Sequence, residues 1–401
     1  MGLAFGRKKW SLLAKRGLAQ QTLSQIYEDG FDYEASTAYH RMVLEILLYF
    51  TVAQSRPLMG TGLALNEGDG AKREMGESFV ERLSSMVRIC LQLADSGGKV
   101  PLIGDNDSGR VIHLSDRPAT DVRAIADIGA LLFKEKNFRI KEWERTSEAA
   151  WAFGIAGVKQ LQALEGRTVG SISPKTEGIS GLRVLRGAQD VLVFSGQPNG
   201  TKGLGNHTHN DKLSLTLSVA GRCFIGDPGS AVYTSDLNRR NLYRSVQFHN
   251  TVGVDGEEQN RFDRKGFFGL HNDAHVTFAG CNSSSIVAEH SGYRRLEGHV
   301  IHRRSIVRSE TSDGRVSWIV TDEIKGEGTH GLDWTFVMAP GVEVAIEGAG
   351  FLMKSGPESM TLRSLNSELA FQIVPGNYSE EYGSESKAHF FEGSTKDRPA
   401  V

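Results

Sequence analysis

The chain has 401 residues, 39% of them hydrophobic, which is enough for one large or two ordinary domains with apolar cores. Its net charge is -2 and it has no block of lysine or arginine, so we do not expect nucleic acid as a partner. The three cysteines, Cys90, Cys223 and Cys281, have no zinc-site spacing, and their odd number argues against a disulfide framework.

The first part of the chain is predicted to begin with two helices. A helical period of apolar residues ends at the sequence EDG, 28–30, and its members are Trp10, Leu13, Leu18 and Leu23. Ser36 can cap the second helix, because a serine oxygen accepts a hydrogen bond from a backbone N–H of the first turn. The predicted inner face of this second helix consists of Tyr39, Val43, Ile46, Leu47 and Phe50. The glycine-rich run at 60–70 ends it.

Three further helices are predicted before residue 165. The first, at about 74–95, places on one face the residues Phe79, Leu83, Met86, Val87, Cys90 and Leu91. The others lie near 121–133 and 147–164. Several helices joined by long loops are typical of a helical toroid or bundle, so residues 1–165 are assigned to a helical domain.

Short alternating segments separated by glycines replace the helical pattern after residue 166. Strands are predicted near 182–185, 191–194, 276–278, 317–321 and 342–346. The fold class is therefore α+β, with a linker at 166–180 and an antiparallel β-sandwich at 181–401. The polar C-terminal segment, 378–401, is expected to be loosely held.

The stretch 205–259 contains a candidate metal site. His207 and His209 lie two positions apart, so on an extended strand both imidazoles would leave the same face. The alternation at 212–219 predicts such a strand, and Asp227 follows its hairpin partner at 222–225. His249 lies in another strand-like run. Two histidines, an aspartate and a third histidine could converge, and such a set suits zinc.

Three motifs together resemble the heparinase II/III-like family of polysaccharide lyases. The first is HxHxD at 207–211, followed by an alternating strand, DPG at 227–229 and HNTV at 249–252. The second is DGFDYEASTAYH at 29–40, and the third is GDNDSGR at 104–110. The HxHxD motif alone is also similar to that of metallo-β-lactamases, but that motif continues with a histidine where this chain has Lys212.

The resemblance implies a fold, an activity and a set of site residues. In this family a helical α/α toroid packs against a β-sandwich, and the active site lies in the cleft between them. The resemblance further implies β-elimination on a uronic-acid polysaccharide, with Tyr39 as the catalytic tyrosine and His207 as its partner. It implies a structural zinc bound by His209, Asp227 and His249. The substrate-binding candidates are Asp105, Asp107, Arg110, Tyr233, Arg240, Tyr243 and Arg244.

The proposed chemistry needs a base, an acid and neutralisation of the uronate carboxylate, because the proton to be removed is only weakly acidic. A tyrosine suits the base or acid role if neighbouring cations lower its pKa from about 10. The expected partner is an acidic polysaccharide or oligosaccharide, of which glycosaminoglycans are one class. The sequence leaves the oligomeric state open.

Structural explanations remain open for the same residues. Tyr39 could belong to the apolar core of its helix, and the aspartates at 105 and 107 with Arg110 could form an ordinary polar turn. Arg240 and Arg244 could grip a carboxylate bidentately or could be solvated. The alternative functions are a uronate epimerase on the same fold and a truncated, non-catalytic glycan-binding homologue.

One departure from the family concerns the beginning of the chain. The family's residue that neutralises the uronate carboxylate lies well upstream of the catalytic tyrosine, and Tyr39 is too close to Met1 for this chain to contain it. We therefore expect either a fragment without the first toroid helices or a shortened homologue. The first 15 residues lack the features of a signal peptide, and the longest apolar run, 42–53, is too short to span a membrane. The expected location is the periplasm if the N-terminus is truncated, and otherwise the cytoplasm.

Overall fold

The structure, a computed structural model, describes residues 6–55, 75–263 and 266–399. The predicted glycine-rich end of the second helix, 60–70, lies outside these residues. The described part of residues 6–163 contains five α-helices: α1 (Lys8–Gln25), α2 (Thr37–Ser55), α3 (Glu77–Leu93), α4 (Arg123–Phe133) and α5 (Ser147–Ala163). All five predicted helices are therefore present, with ends that differ from the predicted ones by a few residues.

The first helix does not bury the face that its apolar spacing suggested. Trp10 is 54% exposed and Leu13 is 72% exposed, whereas Leu18 is partly buried against the core. The residues of α1 are mostly good helix formers such as Leu, Ala, Lys and Gln, so local propensity favours the helix without a buried apolar stripe. The prediction of the helix is confirmed, and three of its four periodic apolar residues, Trp10, Leu13 and Leu23, are exposed.

Helix α2 begins as the sequence predicted, but its buried face is rotated. The backbone N–H of Tyr39 donates to Ser36 Oγ at 3.2 Å, which is the expected cap. Leu44, Leu48 and Val52 are buried together with the predicted Leu47, whereas Ile46 is 42% exposed. Because one side of the first turn faces the candidate site, Tyr39 is only half-buried and is not part of the apolar core.

Helix α3 supplies the centre of the helical core. All six residues predicted to face inward are buried, and each large apolar side chain removed from water contributes about 1.5–3 kcal/mol before the entropic cost of folding. The same core extends onto the first sheet through Leu182, Val184, Val191 and Val193. The helices therefore pack directly on the β part of the chain. The domain division at 166–180 stays a prediction.

The β part consists of antiparallel sheets. The first sheet contains β1 (Leu182–Arg186), β2 (Asp190–Ser195), β3 (Leu215–Val219) and β4 (Arg222–Ile225) in that order. Another sheet contains β6 (Val276–Cys281), β7 (Ser285–His290), β8 (Ile301–Glu310) and β9 (Val316–Lys325). A third has the order β14 (Phe371–Tyr378), β15 (Ser386–Pro399), β10 (Thr329–Val337) and β5 (Val252–Val254). A fourth contains β11 (Glu343–Glu347), β12 (Gly350–Ser355) and β13 (Glu358–Arg363).

One apolar core joins these sheets. It includes Phe194 of β2, Ile306 of β8, Met353 of β12 and Phe391 of β15, all with at most 1% exposure. The α+β class, with antiparallel sheets after the helices, is confirmed. No helix of the described residues is long and apolar enough to cross a membrane.

The C-terminal segment is better held than its polar composition suggested. Strand β15 pairs with β14 on one side and β10 on the other, and it buries Phe390 and Phe391. A strand between two neighbours satisfies its backbone N–H and C=O groups through both ladders, so the polar side chains do not weaken it. The expectation of a loosely held segment is wrong for residues 378–395.

Candidate active site and metal site

The two histidines of the HxHxD motif lie in a loop and not on the predicted strand. Strand β3 begins only at Leu215, because Leu213 has a φ of +62° and interrupts the extended backbone. The loop is held by backbone contacts instead. The N–H of Asp105 donates to the carbonyl of His207 at 3.0 Å, and the N–H of Asn210 donates to the carbonyl of Arg244 at 3.0 Å.

Asp105 is the central acceptor of the site. Its Oδ2 accepts from His207 Nδ1 at 3.0 Å, and its Oδ1 accepts from His209 Nε2 at 3.0 Å. Its side chain is fully buried. Burial alone would raise the pKa of Asp105, but hydrogen bonds from His207, His209 and Arg240 hold that pKa well below its usual range. Asp105 is therefore a buried acceptor with three side-chain partners and not an exposed polar turn residue.

Arg240 pairs with the same carboxylate. Its Nη1 lies 2.9 Å from Oδ1 of Asp105 and its Nη2 lies 2.7 Å from Oδ2, which is a bidentate contact. The guanidinium also lies over the rings of Tyr233, at 4.8 Å, and Phe268, at 4.5 Å. Arg240 lies on the short helix α6 (Leu237–Tyr243) and is buried, so the suggestion of a solvated arginine is wrong.

Tyr39 and His207 come together from the helical and β parts of the chain. Their rings stack with centroids 4.0 Å apart and an interplanar angle of 26°. The Tyr39 hydroxyl donates to Oδ2 of Asp107 at 3.1 Å and lies 3.4 Å from the hydroxyl of Tyr233. These four residues are all partly exposed, so the Tyr39–His207 pair lies at a partly exposed surface.

The electrostatic environment of Tyr39 differs from the expected one. Burial and the carboxylates of Asp107 and Asp105 raise the pKa of Tyr39 well above its ordinary value, although the hydrogen bond with Tyr233 acts in the opposite direction. The condition that neighbouring cations lower this pKa is not met in the protein alone, because Arg240 is engaged with Asp105. The phenol is therefore protonated at neutral pH and can donate a proton.

The predicted metal ligands converge. Ligand atoms of His209, Asp227 and His249 all lie within 4.8 Å of one another, and all three residues are buried. Asp227 follows β4, and its Oδ1 accepts from the N–H of Gly229 at 3.0 Å, while Oδ2 lies 3.2 Å from Nδ1 of His249. His249 follows the 3-10 helix Val246–Phe248, so its predicted position in a strand is wrong.

Unsatisfied nitrogen atoms show that this triplet fits a metal ion. His209 Nδ1 and His249 Nε2 are buried and have no hydrogen-bond partner, and His249 Nδ1 faces the proposed ligand Asp227 at 3.2 Å. Such atoms are costly to bury unless a ligand satisfies them. Two imidazoles and a carboxylate form a donor set that zinc accepts, and the Asp105 contact to the other nitrogen of His209 is the kind of outer contact that orients a metal-binding histidine.

The other substrate-binding candidates are paired with protein groups or buried, and they do not contact the Tyr39 hydroxyl. Arg110 is bound to Glu148 at 3.6 Å and to the carbonyl of Arg117 at 2.6 Å. The buried Tyr243 donates its hydroxyl to Glu385 at 2.5 Å. Arg244 is fully buried, with its guanidinium 4.9 Å from the ring of Phe262. Only Asp107 and Tyr233 of the substrate-binding set contact the Tyr39 hydroxyl.

Three residues of the site were missed by the sequence analysis. Glu34 Oε2 lies 3.6 Å from Nε2 of His207, and Phe268 contacts the His207 ring edge-on with centroids 5.9 Å apart. Ser36 Oγ donates to the carbonyl of Asp105 at 2.6 Å. Glu34 and Ser36 belong to the motif at 29–40 and could have been included for that reason, whereas no local pattern marks Phe268.

Comparison with known proteins agrees with this arrangement. The chain has a helical part followed by antiparallel sheets. A Tyr–His pair lies beside a buried His/Asp/His triplet. Residues 178–400 match the family described as Heparinase II/III-like, C-terminal. This match covers more than half of the chain, and the chain therefore belongs to the heparinase II/III-like family.

Individual relatives are distant in sequence. A heparin-sulfate lyase of Pedobacter heparinus is 22% identical over 259 residues, which cover 62% of this chain and 32% of that protein. Among solved structures, a heparinase III has a TM-score of 0.70 at 17% identity and covers 98% of this chain and 54% of its own. A mutant of the heparan sulfate lyase HepC from Pedobacter heparinus has a TM-score of 0.68 at 18% identity, with coverage of 98% and 54%. The chain thus spans about a third of the curated relative and about half of these structures.

Proposed function

We propose that the protein is a polysaccharide lyase that cleaves a uronic-acid-containing glycan by β-elimination. The observation that carries the proposal is the stacked pair of Tyr39 and His207, which joins the two halves of the chain at a partly exposed surface. Membership in the heparinase II/III-like family supports the reaction class. The names of the relatives favour an acidic substrate of the heparin or heparan sulfate type.

Tyr39 and His207 have distinct tasks in this proposal. The reaction removes the proton on the carbon next to the uronate carboxylate, forms a carbon–carbon double bond and breaks the bond to the glycosidic oxygen, which takes up a proton. Tyr39 is the proton-transferring residue: as the phenolate it takes the proton from this carbon, and as the phenol it gives that proton to the departing oxygen. In the protein alone, its raised pKa favours the phenol form, from which the second transfer proceeds. His207 has Nδ1 bound to Asp105, which leaves Nε2 to support charge on the sugar or on the tyrosine.

Zinc has a structural role in the proposal. His209, Asp227 and His249 would hold the ion, which adds its binding free energy to the stability of the folded state. The ion would also satisfy the buried imidazole nitrogens described above. The loop of residues 205–214 would then be fixed from two sides, by the ion at His209 and by Asp105.

Substrate contact is proposed for Asp107 and Tyr233, which surround the Tyr39 hydroxyl. Asp105 and Arg240 are proposed to act one step away, because each is bound to the other and both are buried. Direct contact of Arg110, Tyr243 or Arg244 with a substrate would require their present partners or their burial to change. For these three residues, the structure gives less support for substrate contact than it does for Asp107 and Tyr233.

Ultraviolet absorbance tests the proposal. Elimination produces an unsaturated uronate that absorbs, whereas an epimerase returns the proton and gives no such product. The purified chain should increase the absorbance of at least one glycan from a panel that contains glucuronate, iduronate and mannuronate polymers. No increase with any of them, while NMR shows inversion of the uronate, would support an epimerase. Glycan binding without turnover would support a non-catalytic homologue.

A further inference from the structure

We infer that Asp105 is a positioning residue that holds the metal-site histidine His209 and the catalytic histidine His207 at the same time, through its two separate carboxylate oxygens. The catalytic label of His207 rests on the proposed function, but the two contacts do not. Asp105 thereby makes one structural unit of the metal site and the Tyr39–His207 pair.

The contacts of the carboxylate carry this inference. Oδ2 accepts from His207 Nδ1 and Oδ1 accepts from His209 Nε2, each at 3.0 Å. A carboxylate has two oxygens that only accept, so each contact requires a proton on the contacting ring nitrogen. The geometry therefore places a proton on Nδ1 of His207 and on Nε2 of His209. The nitrogen left toward the metal triplet is Nδ1 of His209, which is buried and without a hydrogen-bond partner.

Arg240 keeps the carboxylate in this orientation. Its two terminal nitrogens contact both oxygens, at 2.9 and 2.7 Å, so the plane of the carboxylate is fixed while each oxygen still accepts from a histidine. Asp105 has 0% exposure, so water does not compete for these acceptors. The Asp105 carboxylate therefore has hydrogen bonds from His207, His209 and Arg240, which hold it in one orientation.

The backbone of Asp105 connects this unit to Tyr39. Its N–H donates to the carbonyl of His207 at 3.0 Å, and its carbonyl accepts from Ser36 Oγ at 2.6 Å. The same Ser36 oxygen caps the helix that carries Tyr39. A displacement of Asp105 would therefore change the position of the His207 ring relative to the tyrosine as well as the position of His209.

Asp105→Asn separates this role from a purely structural one. Asparagine has nearly the same shape, but it offers one acceptor oxygen and one NH2 donor in place of two acceptors. Its oxygen can accept from one histidine, which keeps its present tautomer. Its NH2 group then lies against the ring nitrogen of the other histidine, which must lose its proton to accept. Asp107→Asn is the matched control, because Asp107 lies in the same loop and contacts Tyr39 but neither histidine.

Zinc affinity and histidine NMR are the readouts, and neither needs a substrate. Competition with a chelator should show zinc binding about 10- to 100-fold weaker in Asp105→Asn, the usual range for loss of an outer contact, and unchanged in Asp107→Asn. In the zinc-loaded wild type, ¹⁵N-histidine spectra should show His207 protonated at Nδ1 and His209 at Nε2. In Asp105→Asn at least one of the two tautomers should change.

Two outcomes would overturn the inference. One is wild-type zinc affinity and unchanged tautomers in a folded Asp105→Asn protein. The other, which needs no variant, is a wild-type spectrum in which either histidine carries its proton on the opposite nitrogen. If the protein releases no unsaturated product but zinc affinity falls as expected, the proposed function fails and the inference about Asp105 stands.

Discussion

The rings of Tyr39 and His207 are stacked with centroids 4.0 Å apart, although one belongs to the helical part and the other to the β part of the chain. This contact depends on the packing of α2 against the loop of residues 205–214. It explains why the site is distributed over motifs far apart in the sequence. The following predictions test the components that hold the two rings together and the reaction that they are proposed to perform.

Two histidines of one motif should have separable roles. His209→Ala removes a proposed metal ligand, so zinc content and melting temperature should fall together. His207→Ala removes no proposed ligand and should retain one zinc per chain while it loses lyase activity. Elemental analysis of protein purified without a histidine tag, with thermal unfolding in the presence and absence of a chelator, measures both effects. A wild-type protein that contains no zinc and melts at the same temperature in chelator would exclude the metal site.

Gly104 lies at a close approach between the helical part and the HxHxD loop. Its φ is +74°, and a Cβ there would lie 2.6 Å from the carbonyl oxygen of His207 and 2.9 Å from that of Ala35. Gly104→Ala should therefore lower the free energy of unfolding by about 2–5 kcal/mol, from backbone strain and overpacking together.

Gly314 provides the control for backbone strain alone. Its φ is +81°, but a Cβ there would have nothing within 4 Å. Gly314→Ala should cost only about 1–2 kcal/mol in urea unfolding. Equal losses of stability in the two variants would mean that the backbone around Gly104 can relax, and that the close approach to His207 is not essential to the fold.

Sequence patterns were most informative where local physics decides the structure. Helix α3 was predicted with its buried face because its apolar residues follow one helical period along its 17 residues. The metal triplet was predicted from a motif, and the structure brings its ligand atoms together, although the ion itself stays a prediction. The cap at Ser36 was also local and was predicted correctly.

Features that depend on contacts between distant parts of the sequence were not predicted. The positive φ of Leu213 prevents strand β3 from extending back to the two histidines. An alternating apolar segment gives no sign of such a residue. The raised pKa of Tyr39 could not be predicted locally, because it depends partly on carboxylates that lie far away in the sequence. Asp105 was assigned to substrate binding from its motif, but its partners are residues of the β part that only the folded chain brings to it.

Asp32 should make the stability of the protein depend on pH. Burial raises its pKa to about 7, and the charge of the neighbouring Glu34 carboxylate acts in the same direction. The folded state then binds the proton more tightly than the unfolded chain does. The contribution of Asp32 to the free energy of unfolding is therefore fully present below about pH 4 and is lost as the pH rises to about 7. The full effect is on the order of 4 kcal/mol.

Asp32→Asn isolates this contribution. An asparagine oxygen can still accept from the N–H of Glu34, which contacts Asp32 Oδ1 at 2.9 Å, but the side chain does not titrate. The variant should gain stability relative to the wild type between pH 4 and pH 7, with no further gain above that range. Urea unfolding at several pH values measures the difference. A constant difference across the range would show that the carboxyl of Asp32 titrates normally in the folded protein.

The activity of Tyr39→Phe tests the central claim most directly. This change keeps the ring, its packing and its stack on His207, and it removes only the hydroxyl. The matched control is Tyr49→Phe on the same helix, where burial raises the pKa of the tyrosine to about 12 but no contact with His207 exists. On a glycan that the wild type cleaves, the release of unsaturated uronate should fall by about 10²–10⁴ in kcat for Tyr39→Phe and stay at the wild-type rate for Tyr49→Phe. Full wild-type kcat in a folded Tyr39→Phe protein would contradict the proposed mechanism.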